Sequence, residues 1–369
     1  MIILRMRKCW AMIQTMKFKN LFNRSPFFIR LLHWEYWPFY VVQLPVMCYY
    51  LWLAAKARSF FYFSASNPSI ETGGMFGESK WKIFELIPQH LFPATILIQE
   101  GTSLESITAA MQRKGITYPI IAKPDRGERG WKVSKIANEA ELRDYIQTTS
   151  IDFLIQAYVS LPVEMSVFYF RYPNEQKGTI SSIVIKEMLR VTGNGTSTLL
   201  ELIKGYPRAL LQLEVLKISL GDRINAIPVK DEVVELVPFG NHSRGAMFLD
   251  ACNLIDTSLV DVFDNISKSI PGFYFGRYDL RCQSVELLKQ GKDIQILELN
   301  GCGAEPAHIY QPGASLLKAY QVIFYHFKVM YEISVANHGN GTPYMTWKEF
   351  VAAYKSQKIY KEKANSALQ

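Results

Sequence analysis

A lysine, two glycines and three oxygen ligands follow one another along this sequence in an order that predicts a nucleotide site. Lys123 closes the apolar run 120–122 and precedes a loop that contains Gly127 and Gly130. Glycine allows backbone N–H groups to approach phosphate oxygens closely. Far downstream come the hard oxygen ligands that Mg²⁺ prefers, which are Asp279, Glu298 and Asn300. Together these residues predict bound ATP with Mg²⁺, or Mn²⁺ as the alternative ion, and phosphoryl transfer as the chemistry.

The elements that must position these residues are predicted to be strands alternating with helices. Short runs rich in β-branched and aromatic residues predict the strands. These runs are TYPIIAK, GWKVSKI, DFLIQAYV, EMSVFYFRY, TISSIVIKEMLR, DEVVELVP, FYFGRYDLRC and DIQILELNG. Lys123 ends the first run, Asp279 lies in the seventh, and Glu298 and Asn300 lie at the end of the last.

Helices are predicted where a capping residue precedes apolar residues at helical spacing. Ser103 and Asn138 are the predicted N-caps of two helices, and Thr196 or Ser197 is that of a third. Further helices are predicted over SLVDVFDNISKSI and ASLLKAYQVIFYHFKVMYEI, of which the second is the longest. The stretch before the first strand predicts either a substrate loop or a turn that leads into a helix over 78–86, and the candidate loop residues are Asn67, Gly73, Gly74, Glu78, Ser79 and Lys80. The tail from Lys355 is rich in Lys, Ser and Ala, so we expect it to fray.

Composition and charge narrow the classes of protein. The 369 residues can bury a sizeable core and form two or three subdomains. The cysteines form no CxxC pair, so neither a zinc site nor a disulfide framework is expected. Seven basic residues precede the first acid, Glu35, and the rest of the chain is nearly neutral. Such an arm suits anionic lipid headgroups better than nucleic acid, so we expect no nucleic-acid partner.

The run WPFYVVQLPVMCYYLWLAA, residues 37–55, has Gln43 as its only strongly polar side chain and is just long enough to span a bilayer. Pro45 would cost ~3 kcal/mol inside a helix. The use of ATP requires that the C-terminal body of the protein lies in the cytosol. A single span would then place the basic arm outside, against the positive-inside rule. We therefore expect a cytoplasmic protein with an interfacial, re-entrant or hairpin-like anchor on the inner face of the membrane. The alternative is a buried pair of hydrophobic helices.

The order of the motifs resembles the ATP-grasp superfamily, and within it the carboxylate-amine ligases such as D-alanine:D-alanine ligase, cyanophycin synthetase and ribosomal-protein glutamate ligase. The resemblance covers roughly residues 105 to 320. It implies an α+β fold in which two lobes clasp ATP, preceded here by a hydrophobic helical N-terminal region. The implied segments are 1–58 as the anchor, 59–104 before the ATP-grasp fold, 105–185 as lobe 1, 186–335 as lobe 2 and 336–369 as the tail.

The resemblance also implies roles for individual residues. Lys123 and Lys186 would contact phosphates beneath the loop with Gly127 and Gly130, and Arg277 would stabilise charge on the transferred group. Asp279, Glu298 and Asn300 would hold the metal. The hinge that reads adenine and ribose would contain Gln156, Tyr158 and Glu164. Gln156 departs from the Glu usual at its position, as Asn194 departs from Asp in VTGNGTSTLLELI.

In the ligases that the sequence resembles, a carboxylate attacks the γ-phosphorus and an amine displaces the resulting acyl phosphate. Arg244, assisted by His242, is the candidate for gripping the carboxylate, and His242 alone is otherwise a structural hydrogen-bonding residue. Glu305 or His308 is the candidate for recognising or deprotonating the amine. We expect small-molecule or lipid-linked substrates, D-alanine not being favoured, and the sequence leaves the oligomeric state open. The alternatives are an ATP-grasp kinase acting on a hydroxyl and a non-catalytic, membrane-bound nucleotide-binding protein.

Overall fold

The computed structural model describes residues 25–128, 130–237, 240 and 245–366, with Phe39 by its backbone alone. These residues form two compact units. The larger unit contains 46–186 and 248–366, and the smaller contains 25–45 and the described part of 187–247. The mixture of helices and sheets confirms the predicted α+β class, whereas the predicted segment boundaries stay predictions.

The larger unit is built on two sheets. The first contains β1 (Thr95–Ile98), β2 (Ile120–Pro124), β3 (Ser134–Ile136) and β4 (Phe153–Ala157) in the order β1-β4-β2-β3. The second contains β5 (Val163–Phe170), β6 (Thr179–Glu187), β9 (Met247–Asp250), β10 (Phe275–Cys282) and β11 (Ile294–Asn300) in the order β11-β10-β5-β6-β9. Neighbouring strands β5, β10 and β11 pair antiparallel.

Helices cover these sheets. They are α3 (Lys80–Leu86), α4 (Leu104–Arg113), α5 (Glu139–Gln147), α9 (Thr257–Lys268), α10 (Val285–Leu288), α11 (Leu316–Gly339) and α12 (Trp347–Ser366). The predicted caps of α4 and α5 are confirmed, because the Ser103 and Asn138 side chains accept hydrogen bonds from backbone N–H groups of the first turn. The longest of the described helices is α11, as predicted.

The core of the second sheet lies on the face that packs against α9. Met165 and Val167 of β5 and Tyr278 of β10 are fully buried in one cluster with Leu259 and Phe263 of α9. Side chains alternate between the two faces of a strand. The residues between these core positions therefore point to the opposite face, which is where the candidate site lies.

The smaller unit contains α1 (Pro26–Leu32), α6 (Leu199–Gly205), α7 (Pro207–Leu210), α8 (Leu213–Leu220) and the antiparallel pair β7 (Arg190–Thr192) and β8 (Val233–Glu235). The predicted cap at Thr196 or Ser197 was wrong. Thr198 caps α6 in a capping box with Glu201. The Asn194 side chain accepts hydrogen bonds from the N–H groups of Thr196 and Ser197 and forms a turn with them. The helix therefore begins after this turn.

The hydrophobic run forms one helix, α2 (Phe39–Ala57), which continues through Pro45. The helix thus accommodates this proline, although a proline inside a helix is costly. Pro45 is exposed, and the next turns are held by the buried side chains of Tyr50, Leu53 and Ala54, which join a core cluster with α11. Packing of this kind outweighs the backbone hydrogen bond that proline removes. No helix within the described residues is long and apolar enough to cross a membrane.

The expected fraying of the tail was also wrong, because α12 continues to Ser366. Phe350 of this helix stacks on Phe61, with ring centroids 4.7 Å apart. Near the other end, Ser150 donates a hydrogen bond to the carbonyl of Lys363 at 2.6 Å. These tertiary contacts hold a segment whose composition alone does not favour order.

Candidate active site

The face of the second sheet opposite α9 carries a row of polar side chains. Across β10 and β11, Arg277 pairs with Asn300 and Asp279 pairs with Glu298, while Ser166 of β5 lies opposite Asp279. Directly opposed residues share a face, with Cβ atoms about 4.5–5.5 Å apart. The sheet thus brings the three predicted metal ligands onto one surface.

Asp279 is the centre of this surface and is almost fully buried. Its Oδ1 accepts hydrogen bonds from Lys186 Nζ at 2.9 Å and from the Ser166 hydroxyl. Its Oδ2 accepts from Arg277 Nη2 at 3.2 Å and from Asn300 Nδ2 at 3.1 Å. Two predicted phosphate-binding cations therefore contact a predicted metal ligand directly.

The charges of Asp279 and Arg277 stabilise each other. Burial alone would raise the pKa of Asp279, but Arg277 and Lys186 outweigh burial and hold that pKa well below its ordinary value. Burial would likewise lower the pKa of Arg277, but Asp279 raises it above its ordinary value. Among the described residues, the buried Nε of Arg277 has no hydrogen-bond partner. Because buried donors are rarely unpaired, this one fits an anionic substrate group.

Glu164 lies in the same network, on β5. Its Oε2 accepts from Arg281 Nη2 at 2.8 Å, and its Oε1 lies 3.6 Å from Lys186 Nζ. Tyr158 is close by, with Lys135 Nζ 4.0 Å from its ring centroid. The structure thus places Tyr158 and Glu164, two of the three predicted hinge residues, beside cations, and the predicted contacts of the hinge with adenine and ribose stay predictions.

Lys123 enters from the first sheet as a buried ammonium held by neutral oxygens. Its Nζ donates to Gln156 Oε1 at 3.0 Å and to the Leu297 carbonyl at 2.9 Å. Burial lowers its pKa to about 8, although Glu298 opposes this effect. No salt bridge to Lys123 is formed within the described part of the chain. A buried cation without a paired anion is costly, and a phosphate would relieve that cost.

A β-bulge gives Lys123 its second acceptor. The register of β10 and β11 shifts after Asp279, which pairs with Glu298, while Leu280 pairs with Ile296. Leu297 is therefore the extra residue on β11. Bulges bend a strand and redirect its groups, and they occur often next to active sites. Here the carbonyl of Leu297 reaches the lysine of the first sheet.

Gln156 holds Lys123 in place. Its Nε2 donates to Thr95 Oγ1 at 3.0 Å while its Oε1 accepts from Lys123, and only 2% of the residue is exposed. Both ends of the amide therefore have partners inside the first sheet. A glutamate here would form a salt bridge with Lys123, whereas glutamine leaves the lysine charge available to a ligand.

Lys80 belongs to the site although we assigned it no phosphate-binding role from the sequence. Its Nζ lies 3.8 Å from Glu298 Oε1 and also donates to the carbonyl of Gly127. Asp125 fixes the start of its helix by accepting from the Ser79 hydroxyl and the Trp81 N–H, both at 2.9 Å. Nothing local in the sequence signals these partners, which the fold brings together.

The glycine-rich loop is positioned by backbone angles that only glycine adopts readily. Gly127 has φ 144° and Gly130 has φ 70°. A Cβ on Gly127 would lie 2.8 Å from the ring of Trp131. Arg126 anchors the loop by pairing with Glu71 at 3.1 Å and donating to the carbonyl of Gly77.

The predicted second-substrate residues lie just beyond β11. The Tyr310 hydroxyl donates to Glu305, and His308 Nδ1 lies 2.7 Å from Ser182 Oγ on β6. Burial lowers the pKa of His308, so the imidazole is neutral at pH 7. His242 and Arg244 lie outside the described residues, and their roles stay predictions.

The donor set of Asp279, Glu298 and Asn300 has the chemistry that the expected metal requires. Asp279 and Asn300 are in contact, Glu298 is the cross-strand neighbour of Asp279, and two carboxylates with an amide suit Mg²⁺. In the described ranges no three His, Cys, Asp or Glu side chains group as a metal cluster. The residues fit an ion that also takes oxygens from a bound phosphate.

A separate cavity of about 480 Å³ lies between α12 and the segment before α3. Glu71, Arg126, Tyr344 and Glu349 contribute to its lining. The paired lysines and the predicted metal ligands are not among its lining residues. It is therefore distinct from the surface that carries the predicted phosphate-binding lysines and metal ligands, although Arg126 of the glycine-rich loop lines the cavity.

Comparisons with known proteins found likeness at the level of solved structures. The chain is similar to a bifunctional glutathione synthetase from Pasteurella multocida, with 15% identity over 66% of this chain and 35% of that chain and a TM-score of 0.36. It is also similar to D-alanine–D-alanine ligase from Bacillus anthracis, with 10% identity over 71% and 69% of the two chains and a TM-score of 0.40. It is similar as well to the D-cycloserine synthetase DcsG, with 13% identity over 69% of this chain and 71% of that chain and a TM-score of 0.38.

No protein-family model matches the sequence, and no curated protein matches it. The first of the three structures is much longer than this chain, which spans 35% of it. A D-alanine–D-alanine ligase, one of the enzymes that the sequence motifs resemble, is among these structures. All three TM-scores are below 0.5, so the likeness to these structures assigns no function to this chain.

Proposed function

We propose that the protein is an ATP-dependent carboxylate-amine ligase that forms an amide through an acyl phosphate. The observation that carries the proposal is Lys123, a buried ammonium that has only neutral acceptors and lies next to the strand of Glu298 and Asn300. A buried ammonium without a paired anion is suited to binding a polyphosphate. The order of motifs in the sequence supplies the ligase assignment.

The residues of the site divide the work of binding and charge neutralisation. Lys123 and Lys186 attract the phosphate oxygens from the two sheets, and the orphaned Nε of Arg277 donates to the transferred group. Asp279, Glu298 and Asn300 would hold Mg²⁺, which when bound neutralises charge on the β- and γ-phosphates. Positioning and electrostatics of this kind are the main source of catalysis in phosphoryl transfer.

The reaction has two steps that balance without a protein nucleophile. A carboxylate oxygen attacks the γ-phosphorus and ADP leaves. The amine nitrogen then attacks the acyl carbon, phosphate leaves, and the amine proton passes to a base, for which the neutral His308 imidazole is suited. Burial raises the pKa of Cys302 to about 12, so this thiol stays protonated and does not act as a nucleophile. Arg244 and His242 are proposed to hold the carboxylate.

The ligase proposal is tested by trapping the acyl phosphate. The protein is incubated with ATP, Mg²⁺, hydroxylamine and the common L- and D-amino acids, with and without lipid extract. Mass spectrometry should find an acyl hydroxamate formed together with ADP. A stable phosphoester on a hydroxyl would instead identify a kinase, and ATP binding without any product from all these mixtures would favour a non-catalytic nucleotide-binding protein.

We also propose that α2 attaches the protein to the inner face of a membrane, in the cytoplasm where ATP is available. One side of α2 is buried at Tyr50, Leu53 and Ala54, while Leu51 is 48% and Trp52 is 53% exposed. An exposed apolar stripe beside aromatic residues suits the headgroup region. The seven basic residues that precede Glu35 would add attraction to anionic lipids. A lipid-linked carboxylate or amine is then the proposed substrate class.

Membrane attachment is tested by sedimentation with vesicles of phosphatidylcholine and phosphatidylglycerol. Burial of an apolar side chain contributes about 1.5–3 kcal/mol, so replacing Leu51 and Trp52 by serine should weaken binding more than about tenfold. Leu317→Ser is the matched control, since Leu317 is exposed on α11. Equal binding by the double variant, or no binding by the wild type, would contradict the proposal.

A further inference from the structure

The C-terminal helix α12 contacts the glycine-rich loop through the hydroxyl of Tyr360. This hydroxyl accepts a hydrogen bond from the backbone N–H of Arg126 at 3.3 Å. It also donates to the carbonyl of Asp152 at 2.5 Å. Burial raises the pKa of Tyr360, so the hydroxyl keeps the proton that it donates.

The carbonyl of Asp152 is the acceptor that the loop itself uses. The N–H of Asp125 donates to that carbonyl at 3.2 Å, just before the loop begins. Tyr360 therefore bonds to Arg126 at the start of the loop and to Asp152, whose carbonyl also holds the residue before Arg126. Phenylalanine at this position would keep the ring and lose both hydrogen bonds.

Further contacts tie the same helix to the other end of the loop. Lys132 donates to the carbonyl of Ala364. Ser150 donates to the carbonyl of Lys363, whose own Nζ pairs with Glu100. One helix of the tail thus contacts the loop at its entry, at Arg126, and at its exit, at Lys132.

We propose that Tyr360 is a positioning residue that fixes the glycine-rich loop for nucleotide binding. This inference rests on the proposed function, since it assumes that the loop covers phosphates. Arg126 and Gly127 are adjacent, and Gly127 also accepts from Lys80. Loss of the Tyr360 contact frees the Arg126 N–H and loosens the segment whose backbone approaches the ligand.

Of the two hydrogen bonds that Tyr360→Phe loses, the one from the Arg126 N–H contacts the loop, and the expected effect on affinity is that of this bond. Such a bond contributes about 1 kcal/mol, which corresponds to about fivefold in affinity. Tyr360→Phe should weaken binding of a non-hydrolysable ATP analogue with Mg²⁺ by about that factor. If turnover is measured, KM for ATP should rise while kcat at saturating ATP changes less, because the hydroxyl does not contact the reacting atoms.

The experiment compares wild type, Tyr360→Phe and Tyr354→Phe in the full-length protein. Tyr354 lies on the same helix and is 55% exposed, so its variant controls for loss of a tyrosine hydroxyl from α12. Calorimetry gives the affinity for the analogue, hydrogen exchange of nucleotide-free protein gives the protection of residues 125–132, and thermal melting gives the stability.

The proposal predicts weaker analogue binding and faster exchange in the loop for Tyr360→Phe alone, with a melting temperature lowered by no more than the few degrees expected from two lost hydrogen bonds. An affinity within twofold of wild type, or unchanged exchange in the loop, would overturn it. If the wild type binds no nucleotide, the proposed function is overturned as well. The wild-type measurement therefore distinguishes failure of the proposed function from failure of the proposed role of Tyr360.

Discussion

Asp279 and Lys123 are two buried charges that the protein stabilises in opposite ways. Asp279 is surrounded by Lys186, Arg277 and hydrogen-bond donors, so its negative charge is fully compensated. Lys123 has only neutral oxygens within hydrogen-bonding distance, and its burial lowers its pKa. The first arrangement stabilises the fold, and the second suits the proposed binding of a phosphate.

Replacing Asp279 by asparagine should therefore unfold the protein more easily. Breaking a buried ion pair on one side costs about 3–5 kcal/mol, because the cations are left uncompensated. The free energy of unfolding, measured in urea, should fall by that amount. Glu298→Gln is the matched control, since the Glu298 side chain is 35% exposed and its contact with Lys80 is long, and the loss there should stay below about 1 kcal/mol. Equal losses would contradict this account of the two carboxylates.

Nucleotide affinity should depend on pH through Lys123. Below its pKa of about 8 the lysine is protonated and attracts phosphate, and above that pH the charge is lost. Affinity for an ATP analogue should fall as pH rises through and beyond this value, with a midpoint moved upward because bound phosphate favours the charged form. Lys123→Arg keeps its charge and should lack this decrease. A decrease of equal size in both proteins would exclude Lys123 as its origin.

The sequence predicted those candidate site residues that belong to a recognisable motif. Lys123 was predicted because it ends an apolar run before a glycine-rich loop, and Asp279 because its carboxylate is an oxygen ligand that Mg²⁺ prefers. Lys186 was predicted from the resemblance to the ATP-grasp ligases. Lys80 was predicted only as a possible member of a substrate loop and not as a phosphate-binding residue, since a lysine in the first turn of a helix is ordinary. Its partners Glu298 and Gly127 lie far along the chain and are brought near only by the fold.

At the scale of elements, Asp125 links the end of β2 to the start of α3. Its carboxylate accepts from the Ser79 hydroxyl and the Trp81 N–H, and its carbonyl accepts from the Lys80 N–H at 3.0 Å. The helix start that carries Lys80 is thus fixed to the strand that carries Lys123.

Asp125→Ala should lower both stability and nucleotide affinity. A buried donor left unpaired costs about 1–3 kcal/mol, and Lys80 would lose its fixed position beside Glu298. Urea unfolding and calorimetry with an ATP analogue measure the two effects. Asp144→Ala, at an exposed position of α5, is the control and should change neither quantity by much. Normal affinity in a destabilised Asp125 variant would show that Lys80 does not need this link.

Element starts were predictable where a capping side chain stands immediately before the helix, as at Ser103 and Asn138. The prediction failed at α6 because Asn194, Thr196 and Thr198 all have capping chemistry, and only the turn geometry selects among them. The order of α12 and the bulge at Leu297 were not predictable, because tertiary packing and strand pairing decide both.

At the scale of the larger unit, the site forms where the two sheets meet. The first sheet supplies Lys123 and the second supplies Lys186 and Asp279, and the direct hydrogen bond from Lys123 to the backbone of β11 joins them. The sequence predicted eight strand-forming runs in chain order but missed β1 and β9, and the α+β class was implied by the resemblance to the ATP-grasp superfamily. The meeting of the two sheets could not be read from local patterns, because it depends on contacts between segments far apart in the chain.

The most direct test of the account is calorimetry of a non-hydrolysable ATP analogue with wild type and Glu298→Gln, each with Mg²⁺ and with chelator. The account predicts that wild type binds only with Mg²⁺ and that Glu298→Gln binds at least about tenfold more weakly, the equivalent of about 1.4 kcal/mol, while remaining folded. Binding that is unaffected by chelation and by the substitution, or no binding by wild type, would contradict the central claim that these side chains hold a metal-bound triphosphate.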